Sequence, residues 1–317
     1  MKSTLVLRQA VKPWLENASA RILIGVSGGA DSLALALATY QEASHHSVEV
    51  IALIIDHGLQ EGSDKTAQSA AENLRKIGII NIEIVRVHVE IIDGLEASAR
   101  RARYSAFDAA IVQYSPDYFF LAHTKNDQAE SVLLGLARGS GTRSLSGMAE
   151  ENGIYIRPIL HIDRSTTEEV CRENNLSPWV DPHNSDDSYA RVRVRKNILP
   201  ILENDLGPGI IDALSRSARI LREDADALDQ YADDFLKAKT SQDLDVELLA
   251  TLPKAVRSRV LRRVILAAGA PSGSITADHV AAVEALITAW HGQGEVSLPG
   301  GVKVGRISGR LSLSRPI

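Results

Sequence analysis

The 317-residue sequence predicts an α/β protein: a doubly wound parallel sheet followed by a smaller, mostly helical domain. Three observations predict it. Five short apolar runs, at 21–26, 48–55, 82–87, 118–122 and 154–160, all but the aromatic 118–122 rich in Val and Ile, have the length and apolar character of strands buried on both faces. Helical periodicity fills the intervals at 32–43, 64–77, 96–114 and 127–136. After Leu206 the alternation stops at LGPGI, and two long charged patterns at 210–238 and 254–268 read as helices.

Each element has a consequence for function. Strand–helix–strand repetition implies right-handed crossovers, and ligands of such sheets bind beyond the carboxyl ends of the strands. Every motif singled out before residue 150 falls at such an end. The domains are therefore placed at 1–205 and 206–317, and the tail GEVSLPGGVKVGRISGRLSLS, alternating apolar and polar residues around Pro299, Gly300 and Gly301, predicts a terminal hairpin. No internal repeat or low-complexity segment interrupts this organisation.

Composition limits the chemistry. With 44% hydrophobic and 24% charged residues the chain is of ordinary globular type. Its single cysteine, Cys171, excludes an internal disulfide, a CxxC redox pair and a cysteine-rich metal site. No run approaches eighteen apolar residues and the N-terminus lacks a signal-peptide core, so a cytoplasmic protein without membrane contact is expected. A formal charge of −5 argues against a general polyanion binder; contact with nucleic acid would need local basic patches.

The most informative stretch is GVSGGADSLALALA at 25–38. Gly28 and Gly29 allow close approach of a ligand, and the first N–H groups of the following helix favour an anion, so Ser27, Gly28, Gly29, Ala30, Asp31 and Ser32 form a phosphate cradle. The lysine of the common phosphate loop is missing. Asp31 stands nearby instead, which makes sense if it holds Mg²⁺ beside the phosphates. The alternative is a tight strand–helix turn in which Asp31 or Ser32 is an N-cap.

S-G-G-x-D-S after the first strand resembles the PP-loop of the Rossmann-like ATP pyrophosphatases, which split ATP between its α- and β-phosphates. That resemblance explains the missing lysine, because the loop would hold pyrophosphate as a leaving group. The wider sequence is similar to the tRNA(Ile)-lysidine synthetases in IDHGL at 55–59, EASARRARY at 96–104, LAHTKNDQAES at 121–131, LARGSGTRSLSGM at 136–148, RPIL at 157–160 and DPHNSD at 181–186. These motifs cover about residues 22–200 in the family's order. Beyond Leu206 there is only a general likeness to that family's first C-terminal helical domain, and the sequence stops before the further domain of longer members.

The resemblance implies an ATP-dependent ligase. It joins free L-lysine to C2 of the wobble cytidine of an isoleucine tRNA with a CAU anticodon, through an adenylated tRNA, and changes codon reading from AUG to AUA. ATP and Mg²⁺ are the implied cofactors. The amine to be deprotonated has a pKa of about 10.4. Catalytic roles carry over to Asp31, Arg103, Asp127, Arg193 and Arg195, with Asp31 and Asp127 as metal ligands and His123 in the nucleotide site. Arg100, Asp127, Glu130, Arg138 and Arg191 are assigned to substrate.

Several residues keep a plainer reading. His123 either takes a proton, orients a phosphate or is structural. Asp127 and Glu130 also suit the first turn of a helix. Arg100, Arg101 and Arg103 are either a solvated face or an anion site. In ARVRVRKN at 190–197 the spacing of Arg191 and Arg195 matches the family, whereas Val192 stands where asparagine is usual. Asp181 and Asn184 suit an Asx turn as well as substrate contact. The glycine-rich segment with Arg138, Ser140 and Arg143 is a surface loop or a lid. Lys254, Arg257, Arg259, Arg262 and Arg263 suggest a helix with a basic outer face, facing tRNA or solvent.

Two other function classes stay open: a different PP-loop enzyme, such as a tRNA thiolase or amide-forming synthetase, or a nucleotide-binding module without catalysis. Turnover with sulfide or ammonia separates the first, and ATP binding without turnover the second. Sheet edges and the helical domain could each carry a homodimer interface.

Overall fold

The computed structural model describes residues 2–60, 62–92, 94–139, 141–181, 186–238 and 244–315. Helix α1 (Lys2–Glu16) leads into β1 (Arg21–Val26), α2 (Ala30–Ala43), β2 (Glu49–Asp56), α3 (Ser63–Ile77), β3 (Ile82–Arg86), α4 (Leu95–Tyr114), β4 (Tyr118–Phe120), α5 (Lys125–Ala137) and a one-turn α6 (Thr142–Leu145). A small hairpin, β5 (Glu151–Asn152) and β6 (Tyr155–Ile156), precedes α7 (Arg164–Glu173). Then come α8 (Ala190–Arg193), a π-helical turn over Val194–Ile198, α9 (Leu199–Asp205) and α10 (Ile210–Lys237).

The six-stranded sheet has the order β3-β2-β1-β4-β6-β5, parallel throughout except for β5 at the edge. Alternate residues of each strand enter different cores. Ile22, Ile24, Val50, Ala52, Ile54 and Phe120 join α1, α2, α3 and α7 in one. Leu23, Ile51, Leu53, Phe119 and Leu121 pack with Phe107 and Ala110 of α4 in the other. Continuous apolar runs are thus required by burial on both sides. Of the expected fifth strand only Tyr155 and Ile156 pair with β4, because the chain turns where Leu160 N–H donates to Arg157 O and Ile162 N–H to Ile159 O.

Strand order reverses at β1, so the loops leaving β1 and β4 open beside each other at the carboxyl edge. This is the position where doubly wound sheets bind ligands. Ser27–Ser32 leaves β1, and His123–Asp127 leaves β4.

Contacts divide the chain into Met1–Leu221 and Arg222–Ile317, so the division lies inside α10 rather than at 205/206. LGPGI does break the chain, but the start of α10 is tied to what precedes it. Glu203 accepts from Gly209 N–H (2.7 Å) and Ile211 N–H (2.9 Å), and Lys125 Nζ lies 2.7 Å from Asp212 Oδ1.

The second unit adds α11 (Val246–Thr251), α12 (Lys254–Ala267) and α13 (Ala277–Thr288), followed by β7 (Val296–Ser297), β8 (Lys303–Ile307) and β9 (Arg310–Ser314). The tail is a three-stranded antiparallel meander rather than one hairpin, since the chain reverses at Pro299–Gly301 and again after Ile307. The expected basic outer face of α12 is largely used within the unit. Arg259 pairs with Asp229 at 3.0 Å, Arg263 with Asp233 at 2.6 Å, and Arg262 donates to Ile275 O at 2.7 Å and Ser272 O at 3.1 Å.

Arg257 and Glu284 form a buried pair at 2.8 Å. Replacing Glu284 with Ala would leave a guanidinium inside the core facing only the carbonyls of Ala250 and Leu252. Urea unfolding should show a loss of about 3–5 kcal/mol, as expected when one partner of a buried pair is removed.

Candidate functional site

The loop between β1 and α2 is held by its own hydroxyls and by close packing. Ser32 Oγ donates to Gly29 O (2.9 Å) and accepts from Ser27 N–H (3.2 Å). Gly28 has φ +84°, and a Cβ there would stand 3.2 Å from Ala70 Cβ; its carbonyl accepts from Trp179 N–H at 2.9 Å. Only glycine fits both requirements without strain. A Cβ on Gly29 would meet nothing closer than Ser27 Oγ at 3.6 Å, so the absent side chain leaves room on the ligand side. The N-terminus of α2, with Ala30 and Asp31 in its first turn, directs unpaired N–H groups toward this loop.

Three carboxylates gather beside it. Asp31 accepts from Thr167 Oγ1 and from Arg164 Nε (3.3 Å). Asp127 takes Thr124 N–H and Oγ1 on one oxygen, each at 2.9 Å, and Arg164 Nη2 on the other at 2.8 Å. Glu130, with no exposed surface, receives Arg195 Nε at 2.6 Å and Nη2 at 3.1 Å, Arg164 Nη1 at 3.4 Å and the Arg191 charge at 3.8 Å. Three acids face three arginines. Burial raises the Asp31 carboxyl above its ordinary range and the neighbouring Asp127 adds to this, against the opposing pull of Arg164 and Thr167. Burial would also raise Asp127, yet Arg164 and the Thr124 hydrogen bonds bring it below its ordinary value.

Helical geometry sorts the arginines of 190–197. Arg191 and Arg195 are four residues apart and share a face, which reaches α5; Arg191 also donates to Ser131 Oγ at 3.2 Å. Arg193 is exposed on the other side and donates to Asp187 O and Ser188 O at 2.7 and 2.8 Å. The structure therefore does not bring Arg193 to the acids. Val192, where the family pattern has asparagine, is buried.

His123 lies on the loop after β4, and its Nδ1 is buried with no hydrogen-bond partner among the described residues. Burial, with Arg157, Arg191 and Arg100 adding to it against Asp127, pushes its pKa down to about 4. Its imidazole is neutral at ordinary pH. Arg103 is 3.4 Å from His57 Nε2 at the end of β2, and Arg100 stacks over Tyr104 at 4.8 Å. These two form a basic group beside His57, and the His123 ring feels both the Arg100 charge and that of Asp127. Burial and the Arg103 charge lower His57 to about 4 as well, with Asp56 opposing.

Arg138 is exposed just beyond α5. Past α6 the glycine-rich segment is fastened by Gln128, which donates to Met148 O at 2.9 Å and accepts Met148 N–H at 2.7 Å. Ser140 and Asn184 lie outside the described residues, while Asp181 accepts from Gln60 at 3.3 Å.

Sequence reasoning missed Arg164 and Thr167. One signal was available: Arg164 is the first residue of α7, where the helix dipole disfavours a cation. A cation there needs carboxylates ahead of it, and Asp31, Asp127 and Glu130 supply them.

A phosphate cradle at the switch point of a doubly wound sheet, with acids and arginines at its mouth, defines a PP-loop ATP-binding enzyme. A PP-loop domain matches residues 2–202 and a TilS substrate binding domain matches 244–312. The tRNA(Ile)-lysidine synthase of Thermobifida fusca is 46% identical over 313 residues, covering 98% of this chain and 97% of its own; that of Leifsonia xyli is 48% identical over 299 residues, covering 92% and 89%. The chain belongs to the tRNA(Ile)-lysidine synthase family. Among solved structures, the U34-tRNA thiolase NcsA of Methanococcus maripaludis, described with its [4Fe-4S] cluster, shares the fold (TM-score 0.58, 18% identity, 70% of this chain and 79% of that one). Among the described residues no helix is long and apolar enough to cross a membrane.

The two depressed histidines give a pH prediction. His57 and His123 bind protons near pH 4 when folded and near 6.5 when unfolded, so the unfolded chain binds more protons between these values. Their contribution is fully present above 6.5 and declines as pH falls toward 4. Urea unfolding should show stability dropping from pH 7.5 to 5, with a shallower drop in His57→Gln and His123→Gln; a flat profile in the parent protein would contradict the assignment.

Proposed function

We propose that this chain joins free L-lysine to C2 of the wobble cytidine of a CAU-anticodon isoleucine tRNA, converting ATP to AMP and pyrophosphate. The observation that carries the reading is the acid–arginine cluster at the mouth of the PP-loop, in a chain that aligns with its relatives over nearly its full length. In the first step the C2 oxygen attacks the α-phosphorus and pyrophosphate leaves. In the second the free amine of lysine attacks C2, AMP departs with the former C2 oxygen, and the amine proton goes to solvent or a carboxylate.

The residues divide this work. Ser27–Ser32 and the start of α2 hold the polyphosphate, and Asp127 and Glu130 provide negative charge for the lysine ammonium. Arg191 and Arg195 hold Glu130 in place. Arg103 and Arg100, with His57 nearby, form a basic surface suited to the tRNA backbone and to the anion that develops on adenylation. Arg138 is exposed and available to tRNA. Arg193, exposed and bonded to Asp187 O and Ser188 O, is left without a part at the reacting atoms in this reading. His123 is too weak a base for an amine of pKa about 10.4, so its neutral ring acts as a hydrogen-bonding partner.

Mg²⁺ fits Asp31 and Asp127. Both are hard oxygen ligands, and a divalent cation would offset the burial that raises the Asp31 carboxyl, to which the neighbouring Asp127 charge adds. Mg²⁺ is commonly held by one or two carboxylates together with substrate phosphates, whose departing charge it neutralises. Sulfur transfer is less well supported: Cys171 is the chain's single cysteine, is buried against Ala30 O, and has its thiol pushed up to about 12, mainly by burial and also by Asp31.

Incubating the full chain with ATP, Mg²⁺, isotopically labelled lysine and unmodified CAU-anticodon isoleucine tRNA, then weighing the nucleosides, should reveal a labelled lysine–cytidine adduct. No adduct from protein that binds ATP would contradict the proposal. Asp31→Ala should lower pyrophosphate release by about 10²-fold or more while the chain still folds, an effect of the size found when one electrostatic group is removed from an active site.

A further inference from the structure

Among the described residues, Arg164 alone touches all three carboxylates of the cluster: its Nε reaches Asp31 (3.3 Å), its Nη2 Asp127 (2.8 Å) and its Nη1 Glu130 (3.4 Å). Together with Thr124, Thr167 and Arg195, it leaves no oxygen of the three carboxylates without a donor. A lysine ammonium carries three donors and no acceptor. Entering this site, it would find its acceptors in use and a guanidinium already in its place.

We propose that Arg164 is the resident counter-ion of the acid cluster, and that lysine gains Asp127, with the charge of Glu130 behind it still held by Arg195, only after bound polyphosphate draws Arg164 away. The inference rests on the lysine reading above. Arg164 is suited to the exchange. Its backbone N–H is anchored by Asn126 Oδ1 at 2.9 Å, so the side chain moves about a fixed point. Two of its three acid contacts are long. One of them is to Asp31, which lies within the phosphate cradle, so an incoming polyphosphate arrives beside the guanidinium. Phosphate oxygens match that planar fork in two-point geometry and carry more charge than the carboxylate they replace. With three acids against three arginines the resting cluster is balanced; removal of Arg164 leaves a net negative charge for the ammonium. Nucleotide would then bind before lysine.

Equilibrium dialysis of labelled L-lysine against the full chain tests this, at one fixed Mg²⁺ concentration, with and without an ATP analogue carrying a methylene between the α- and β-phosphorus. Wild-type protein should bind lysine about tenfold more tightly, or better, with the analogue, the factor expected from one charge-assisted hydrogen bond exchanged. Arg164→Gln should bind lysine at that higher level without analogue and gain little from it. Arg164→Lys, which keeps a charge but cannot span three acceptors, should fall between them, and it carries the test if Arg164→Gln is found unfolded by circular dichroism. Equal lysine affinity with and without analogue in wild-type protein would overturn the proposal, as would wild-type nucleotide dependence, or loss of lysine binding, in a folded Arg164→Gln. If lysidine forms and lysine binding ignores nucleotide, only this inference fails. If no lysidine forms and no lysine binds under any condition, the lysine reading fails and this inference with it.

Discussion

A carboxylate without exposed surface must have donors brought to both of its oxygens, and Glu130 imposes that condition on everything around it. Arg191 comes from α8 and Arg195 from the π-helical turn that follows it, and Arg164 from the start of α7, so two separate segments are fixed against α5 by one buried charge. Removing any one of them would leave a deficit of charge inside the protein. The same arrangement orients Asp127, whose second oxygen is committed to Thr124 at the beginning of α5. Stability and chemistry here share the same hydrogen bonds.

Topology then decides what this cluster faces. Because the sheet reverses its order at β1, the loops after β1 and β4 become neighbours, and the phosphate cradle lies next to the acids of α5. In a phosphate loop with a lysine, the charge that receives phosphate is part of the loop. Here it is supplied from other segments, which are in contact with carboxylates until a polyanion competes for them. The missing lysine and the surplus of arginines are two sides of one design: the cations that stabilise a leaving pyrophosphate also serve the acids that suit an amine nucleophile.

The strands and their burial were legible because a sheet covered on both faces demands continuous apolar runs, and β1 and β2 show them plainly. The PP-loop was legible because Gly28 at φ +84° and Ser32 at the helix start answer local requirements. Arg164 was not, since its meaning depends on residues 34 to 133 positions away. In the arginine run 190–197 the sequence assigns Arg193 and Arg195 to catalysis and Arg191 to substrate, whereas the helical turn separates Arg193 from Arg191 and Arg195. The basic stretch of α12 was misleading for a related reason: Asp229 and Asp233, the acids that pair with it, come from a helix about thirty residues earlier.

In the proposed reaction the PP-loop holds pyrophosphate as the leaving group while an oxygen of the substrate is adenylated. The most direct test is to place ¹⁸O on C2 of the wobble cytidine and follow it by mass spectrometry through a complete reaction. The label should appear in released AMP, and pyrophosphate should carry none. Label retained in the tRNA, or found in pyrophosphate, would contradict it.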